Sequence, residues 1–274
     1  MRVPAPIFTA HLFAPLDAEL LSVLRGLTPE EWHAPTAAGS WTVKDVAAHL
    51  LDTALRRLSI QRDGYAPPLP PDAFANGLGG FVNNANAEWV SVARRLSPAI
   101  LTELLSLYSG QLATFLGTLD PHAPAQWAVS WAGDEQSPAW FDIARELTER
   151  WHHQQQIRDA VGRAPLYDPV YFVPIIDTFV RALPFAYRQV DAPSGTSIAL
   201  HVPEAGAWLL VREGTEWTLY AEEGPATTTI TLPGDAAWRL FTKGLTAAQA
   251  TARATIEGDA AHAEALLRMV CIVA

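Results

Sequence analysis

The sequence contains a single cysteine, Cys271, among its 274 residues. One cysteine excludes an internal disulfide framework and is typical of a protein from a reducing compartment, so we expect a cytoplasmic location. Because Cys271 lies in the apolar tail 266–273, we interpret it as a buried structural thiol rather than a nucleophile. The chain would then supply no thiol nucleophile of its own.

An excess of basic charge is also missing. The chain has 19 Lys and Arg residues against 29 Asp and Glu residues, which gives a formal net charge of −10 at pH 7. Nucleic acids and anionic membranes are bound largely through clustered positive charge. The composition therefore predicts neither nucleic acid nor a membrane as a partner.

No long uninterrupted apolar run is present. Pro4, Pro6 and Asp17 occupy the region where a signal peptide needs a continuous apolar segment. The most apolar later stretch, residues 170–187, is interrupted by two prolines and two charged residues, so we predict that it does not span a membrane. The sequence also lacks internal repeats, a Gly-x-Ser-x-Gly motif, a phosphate-binding loop and a dinucleotide-binding fingerprint.

Apolar residues suffice for a packed core, at 49% of the chain with only 18% charged. The residue pattern changes after Pro165, and we predict two domains: a helical one over residues 1–163 and a small α+β one over residues 164–274. The predicted fold class is therefore α plus α+β.

The first domain is predicted to be a bundle of principal helices joined by long connections. A capping box at Thr28–Glu31, with Pro29 after the cap, marks a possible helix start, and a second capping box stands at Thr42–Asp45. Helices are predicted over about 16–27, 42–58, 83–96, 98–116 and 137–161, with Gly162 as the C-terminal cap of the last.

The second domain is predicted to alternate strands and short helices. Strands are predicted over 197–202, 207–212, 216–220, 227–232 and 252–257, with Glu213-Gly214-Thr215 as a hairpin turn. Helical segments are predicted over about 170–188, 235–242 and 246–251, and from Asp259 onward.

Three residues, His49, Glu149 and His153, could form a metal centre. Glu149 and His153 are four residues apart on one predicted helix, so their Cβ atoms would be about 5–6 Å apart on one face. His49 would come from another helix. Two imidazoles and one carboxylate leave a fourth position open, as in catalytic zinc sites.

Each residue also has a simpler interpretation. The helix predicted over 42–58 has an apolar stripe from Val43 to Leu58, and a lone His49 at the edge of that stripe is often a hydrogen-bonded core histidine. Glu149 is often a solvated carboxylate, and His152 with His153 could be an exposed pair. The predicted helix, however, has a polar stripe opposite an apolar one. A polar stripe facing inward needs a partner, and a divalent cation supplies one. The spacing by itself leaves both interpretations open.

Two segments resemble a known family. The stretches Trp32-His-Ala-Pro-Thr36 and Trp41-Thr-Val-Lys-Asp-Val-Ala-Ala-His49-Leu50 are similar to the N-terminal signature of mycothiol-dependent maleylpyruvate isomerases. The stretch Glu149-Arg-Trp-His-His153, continuing to Gly162, resembles the last bundle helix of that family, which belongs to the DinB-like metal-binding four-helix superfamily. The second domain resembles the family's appended C-terminal domain, distantly like sterol carrier protein type 2.

The resemblance implies a metal site and a thiol cosubstrate. The family's metal ligands fall on His49, Glu149 and His153, and His152 falls on a non-ligand position. The implied cofactors are a divalent metal, zinc or else nickel or another ion, and a low-molecular-weight thiol such as mycothiol. The implied activity is isomerisation or S-transfer on a small, acidic electrophile. Relatives often carry an acidic residue where this chain has Gln156, so a carboxylate supporting the ligands is missing at that position.

Several alternatives remain at this stage. The chain could be a non-catalytic small-molecule or lipid-binding protein that keeps the bundle, with or without metal, and it could be a monomer or a small homo-oligomer. Catalytic and thiol-binding residues are not identified by the sequence. Polar residues of the 83–95 segment could flank the metal or form an ordinary helix face, and Arg239 and Arg253 could meet an acidic substrate.

Overall fold

The computed structural model describes residues 1–272, which pack into two compact units. We call residues 8–126 and 149–166 the helical unit, and residues 1–7, 127–148 and 167–272 the mixed unit. The chain is thus a helical N-terminal region followed by a small mixed-sheet region. The predicted domain boundary at residue 163 divides the chain at one sequence position. The two units are instead defined by packing and combine separate stretches of the chain. The predicted boundary therefore stays a prediction.

Five long helices account for most of the N-terminal region. They are α1 (Phe13–Arg25), α2 (Val43–Arg57), α3 (Gly77–Ala93), α4 (Pro98–Leu116) and α5 (Ala139–Ala160). Helix α2 contacts both α3 and α4, and α1 contacts α4. Leucines of α1, α2 and α4 share one buried core with Trp32 and Ile157. This packing buries the apolar stripe of α2 that the sequence predicts, from Val43 to Leu58.

Helix α2 begins where the sequence places it. The Thr42 side chain accepts a hydrogen bond from the Asp45 backbone N–H, and the Asp45 carboxylate accepts one from the Thr42 backbone N–H. This reciprocal pair satisfies two N–H groups that have no partner within the helix. The Arg94 guanidinium also binds the Asp45 carboxylate, at 2.9 Å. The start of the helix that carries His49 is therefore fixed from two sides.

Replacing Thr42 with alanine should lower the free energy of unfolding by about 1 kcal/mol, since the cap of α2 would be lost. Urea unfolding followed by circular dichroism measures this change. Thr114→Ala is the matched control, because Thr114 is exposed within α4 and its hydroxyl only donates back to the Gly110 carbonyl. Equal stability losses in the two variants would contradict the capping role.

The C-terminal region contains five strands in one mixed sheet. The strands are β1 (Ser197–Val202), β2 (Gly206–Glu213), β3 (Glu216–Tyr220), β4 (Thr228–Thr231) and β5 (Thr255–Gly258). Their order is β3-β2-β1-β4-β5, with β1 and β4 parallel and every other pair antiparallel. Gly214, at φ +61°, lies in the predicted hairpin turn between β2 and β3. The helices are α6 (Pro169–Val180), α7 (Leu183–Tyr187), α8 (Gly234–Phe241), α9 (Ala247–Thr251) and α10 (Glu264–Leu267).

Some predicted boundaries are wrong. The capping box at Thr28 forms, but only one 3-10 turn, Glu31–His33, follows, because Ala34 is extended before Pro35. Helix α3 begins six residues before Asn83, in a glycine-rich stretch of poor helix formers.

Two boundaries near the C-terminus also differ. Strand β5 begins at Thr255 instead of Ala252, because Ala252 still has helical backbone angles at the end of α9. The predicted helix from Asp259 is a 3-10 segment, Ala260–Ala263, followed by the short α10.

Two segments have the length and apolar composition of a membrane span. They are Pro98–Leu116 and Pro169–Tyr187. The core helix of a globular domain passes the same test, and 56% of the second window is buried inside the structure. Asp177 and Arg181 within that window form an ion pair at 2.9 Å. The absence of a membrane partner stays a prediction.

Candidate metal centre

The three residues predicted as metal ligands lie together in the helical unit. His49 projects from the middle of α2, and Glu149 and His153 project from one face of α5. Their potential ligand atoms all lie within 4.8 Å of one another. The structure therefore brings together residues that are 100 positions apart in the sequence. That these residues bind a metal stays a prediction.

Both imidazoles point at the same carboxylate oxygen. The Nε2 atom of His49 lies 3.3 Å from Glu149 Oε1, and the Nε2 atom of His153 lies 3.1 Å from it. Zinc bonds of about 2.0–2.1 Å at tetrahedral angles would place neighbouring ligand atoms about 3.3 Å apart. The two nitrogen–oxygen separations match this spacing, and all three potential ligand atoms lie within 4.8 Å of one another.

The hydrogen bond of His153 to Gln156 fixes where its proton lies. The Nδ1 atom of His153 lies 2.8 Å from Gln156 Oε1, and an amide oxygen only accepts hydrogen bonds, so Nδ1 carries the proton. When Nε2 is protonated as well, it donates to Glu149 Oε1. In the neutral ring its lone pair instead faces the lone pairs of Glu149. Two acceptors that face each other need a cation between them, either a proton or a metal ion. The donor set thus fits a divalent cation.

The two imidazoles differ in the support they receive. Metal-binding histidines usually donate their second ring N–H to an acceptor, which orients the ring. Gln156 accepts this hydrogen bond from His153, through a neutral amide oxygen. The Nδ1 atom of His49 is buried and has no hydrogen-bond partner among the described residues. The Trp41 ring, with its centroid 5.2 Å from that of His49, packs against this imidazole.

Electrostatics favours an ionised Glu149 beside a neutral His49. Burial lowers the pKa of His49, although the hydrogen bond to Glu149 opposes that shift. Burial by itself would raise the pKa of Glu149. The charge of His152 and the hydrogen bonds of His153 and His49 outweigh burial and hold the pKa of Glu149 well below its usual value. An ionised Glu149 and a neutral His49 are the protonation states in which these two residues can bind a metal.

The cluster is buried on the histidine side and open on the carboxylate side. His49 and His153 are buried, and His152 is buried as well, so the pair is not the exposed one that the sequence allowed. About a quarter of the Glu149 side chain, 26%, is exposed. Solvent therefore reaches the cluster on the side of Glu149.

A buried ion pair, which the sequence does not reveal, holds α5 against α1. The Arg150 Nη1 atom lies 2.9 Å from Asp17 Oδ1, and the side chains of both residues are almost completely buried. Arg150 directly follows Glu149 in the chain, so the pair fixes the turn of α5 that presents the carboxylate. Arg158, two turns later, binds the more exposed Glu19 of α1 at 3.1 Å.

The other candidate residues either have structural partners or are exposed. The Trp89 indole N–H donates to the Ala48 carbonyl, and Arg94 binds Asp45. Asn83 and Arg95 are exposed. Arg239 and Arg253, in the mixed unit, both bind Asp235.

Cys271 is buried, as the sequence predicts. Burial raises the pKa of its thiol well above the usual value, so this thiol resists ionisation.

Asn86 differs from the exposed residues around it on α3, because its side chain is buried and accepts a hydrogen bond from Arg56. Nothing in the sequence pattern singles out Arg56 or Asp52, which lie on the same helix as His49.

Comparison with known proteins points to one family. Residues 13–158, more than half of the chain, match the family model described as the mycothiol maleylpyruvate isomerase N-terminal domain. The fold is similar to the crystal structure of a histidine-to-alanine mutant of the mycothiol-dependent maleylpyruvate isomerase, with a TM-score of 0.55 and 15% sequence identity. The match covers 92% of this chain and 93% of that chain. A second crystal structure of the mycothiol-dependent maleylpyruvate isomerase gives a TM-score of 0.53, 16% identity and coverage of 86% and 88%. No curated protein matches the sequence at a significant level.

Proposed function

We propose, from the premise that this chain belongs to the mycothiol maleylpyruvate isomerase N-terminal domain family, that it is a metal-dependent enzyme that uses a low-molecular-weight thiol. It would catalyse isomerisation or S-transfer on a small electrophilic acid. The observation that carries the proposal is the convergence of two imidazole nitrogens on one carboxylate oxygen, at 3.1 and 3.3 Å. The crystal structures of similar fold are of a mycothiol-dependent isomerase.

We propose His49, Glu149 and His153 as the residues that hold the metal. Two nitrogens and one oxygen suit several divalent first-row ions, and we expect zinc, with nickel or another ion as alternatives. When bound, the cation would deprotonate a thiol at neutral pH and so supply a thiolate. Gln156 would keep the lone pair of His153 Nε2 directed into the site, and the exposed side of Glu149 is where thiol and substrate would enter.

The chain itself offers no sulfur nucleophile. Its one thiol, on Cys271, is buried with a raised pKa. The sulfur must therefore come from the cosubstrate. With an acid of the maleylpyruvate type, the thiolate would add to the activated cis double bond and leave a single bond about which the molecule can rotate. Elimination would then break the new carbon–sulfur bond, re-form the double bond as the trans isomer and release the same thiolate.

The finer features of the fold and setting are part of this proposal. We expect the helical region to be a DinB-like metal-binding bundle and the C-terminal region to be distantly like sterol carrier protein type 2. We also expect a cytoplasmic protein, monomeric or a small homo-oligomer, without nucleic-acid or membrane partners. The alternative to the enzyme is a small-molecule or lipid carrier with the same fold, which would consume no thiol.

The test combines metal analysis with a thiol assay. Protein purified without chelator should contain about one divalent metal per chain by elemental analysis, since the three ligands form one site. Mycothiol or bacillithiol is then supplied with maleylpyruvate, and the isomeric product and the free thiol are measured. Isomer formation that stops when the metal is removed and returns with zinc would support the enzyme. Stoichiometric metal without turnover or thiol consumption would favour the carrier, and protein without metal would overturn the proposal.

A further inference from the structure

Arg56 lies on the same face of α2 as His49. The two residues are seven positions apart, which is two helical turns and about 10.5 Å along the helix axis. Asp52 lies between them, one turn from each. A polar row therefore runs along α2 from the proposed metal ligand to a guanidinium, on the scale of a small organic acid.

The guanidinium of Arg56 has donors to spare. An arginine has five N–H donors. In the described part of the chain, Arg56 makes one hydrogen bond, from Nη2 to Asn86 Oδ1 at 2.9 Å. Its Nε atom lies 3.0 Å from Asp52 Oδ2, but the two atoms are not aligned for a hydrogen bond. Because Nε is itself buried, the donors left for a ligand are the two on Nη1 and the second one on Nη2.

The position of Arg56 is set by buried groups, although its own side chain reaches solvent. Asn86 and Asp52 are both buried, whereas 35% of the Arg56 side chain is exposed. Burial raises the pKa of Asp52 to about 6, and the nearby Arg56 charge offsets this only in part. The guanidinium therefore has one side against buried partners and another side in solvent, where a ligand can bind.

We propose that Arg56, positioned by Asn86, binds a carboxylate of the substrate and thereby selects acidic electrophiles. A guanidinium binds a carboxylate through two parallel hydrogen bonds, which fixes orientation as well as charge. The reactive end of the substrate would lie at the His49–Glu149–His153 cluster and its acidic end at Arg56. This inference rests on the proposed function for the class of substrate, and it adds the residue that recognises the acid.

Binding of maleate, a small dicarboxylate, tests the inference without turnover. Isothermal titration of maleate into zinc-loaded protein without thiol should show binding, and the uncharged analogue maleamide should bind much more weakly. Arg56→Met should weaken maleate binding about tenfold or more, because a hydrogen-bonded charge pair is lost. Arg56→Lys should fall between the two, since it keeps the charge without the paired donors.

Two further variants separate recognition from general effects. Arg62→Met removes the same charge from the exposed end of the same helical segment, where Arg62 binds Asp63 and Gln111, and should leave maleate binding unchanged. Asn86→Ala should weaken maleate binding less than Arg56→Met, because Asn86 only positions the guanidinium. The zinc content of every variant should equal that of the unmodified protein.

Several results would overturn the inference. They are maleate binding that is unaffected by Arg56→Met, equal losses in the Arg56 and Arg62 variants, equal binding of maleate and maleamide, or no maleate binding at all. The same titration on metal-free protein tests Arg56 even if zinc does not bind. Failure of the proposed function would show instead as absent metal or absent turnover.

Discussion

Replacement of His153 with alanine should abolish stoichiometric metal binding. The variant loses one of three ligands and leaves only His49 and Glu149 at the site. Loss of a residue that merely supports a ligand typically lowers metal affinity 10–100-fold, so loss of a ligand should lower it by at least about 100-fold. Elemental analysis of protein purified without chelator, followed by zinc titration, measures the change.

His152→Ala is the matched control for this experiment. His152 is the adjacent histidine on α5 and is equally buried, but its Nδ1 atom is 3.9 Å from Glu149 Oε2 and it is not part of the three-residue cluster. It should keep about one metal per chain, since all three ligands remain. Circular dichroism confirms that both variants fold. Undiminished zinc in a folded His153→Ala variant would refute the ligand assignment.

Replacement of Asp17 with alanine should destabilise the protein strongly. Arg150 would stay buried without its counterion, because its side chain is completely inaccessible and Asp17 Oδ1 lies 2.9 Å from Nη1. Breaking a buried ion pair from one side costs about 3–5 kcal/mol. Urea unfolding should show this loss as a lower transition midpoint. Because Arg150 follows Glu149, metal affinity should fall as well.

Two comparisons isolate the buried charge as the cause. Glu19→Ala removes a second acid of α1 that also binds an arginine of α5, but Glu19 is about half exposed, at 48%. Because Glu19 reaches solvent, this pair should contribute less than the buried one, about 1 kcal/mol. The double variant Asp17→Leu/Arg150→Met should recover most of the stability, since it removes both charges. A double variant as unstable as Asp17→Ala would show that lost packing is responsible.

The limits and buried faces of the helices could be predicted where they depend on residues close together in the sequence. The stripe of α2 and the capping box at Thr42 are confirmed, and α4 has the predicted limits, with Ser97 as cap and Pro98 in the first turn. These features depend on residues three or four positions apart. Thr28 shows the limit of such signals, because its capping box forms and the helix still stops before Pro35.

The supporting contacts of the site were less predictable. Gln156 was expected only as the replacement of an acid, but in the structure it accepts a hydrogen bond from His153. Arg56 and Asn86 come from different helices and share no sequence motif. Contacts of this kind depend on how two helices face each other, which is set by the packing of many apolar side chains.

By itself, the sequence determined that Glu149 and His153 share a face of α5, because a separation of four residues is set by the helix repeat. Only the tertiary structure decided that His49 reaches the same carboxylate oxygen, and that Asp17 neutralises Arg150 from 133 positions away. Periodicity carries no information across such distances. The packing of α1, α2 and α5 brings these groups together, because burying their apolar faces excludes water from the polar side chains, which must then bind one another.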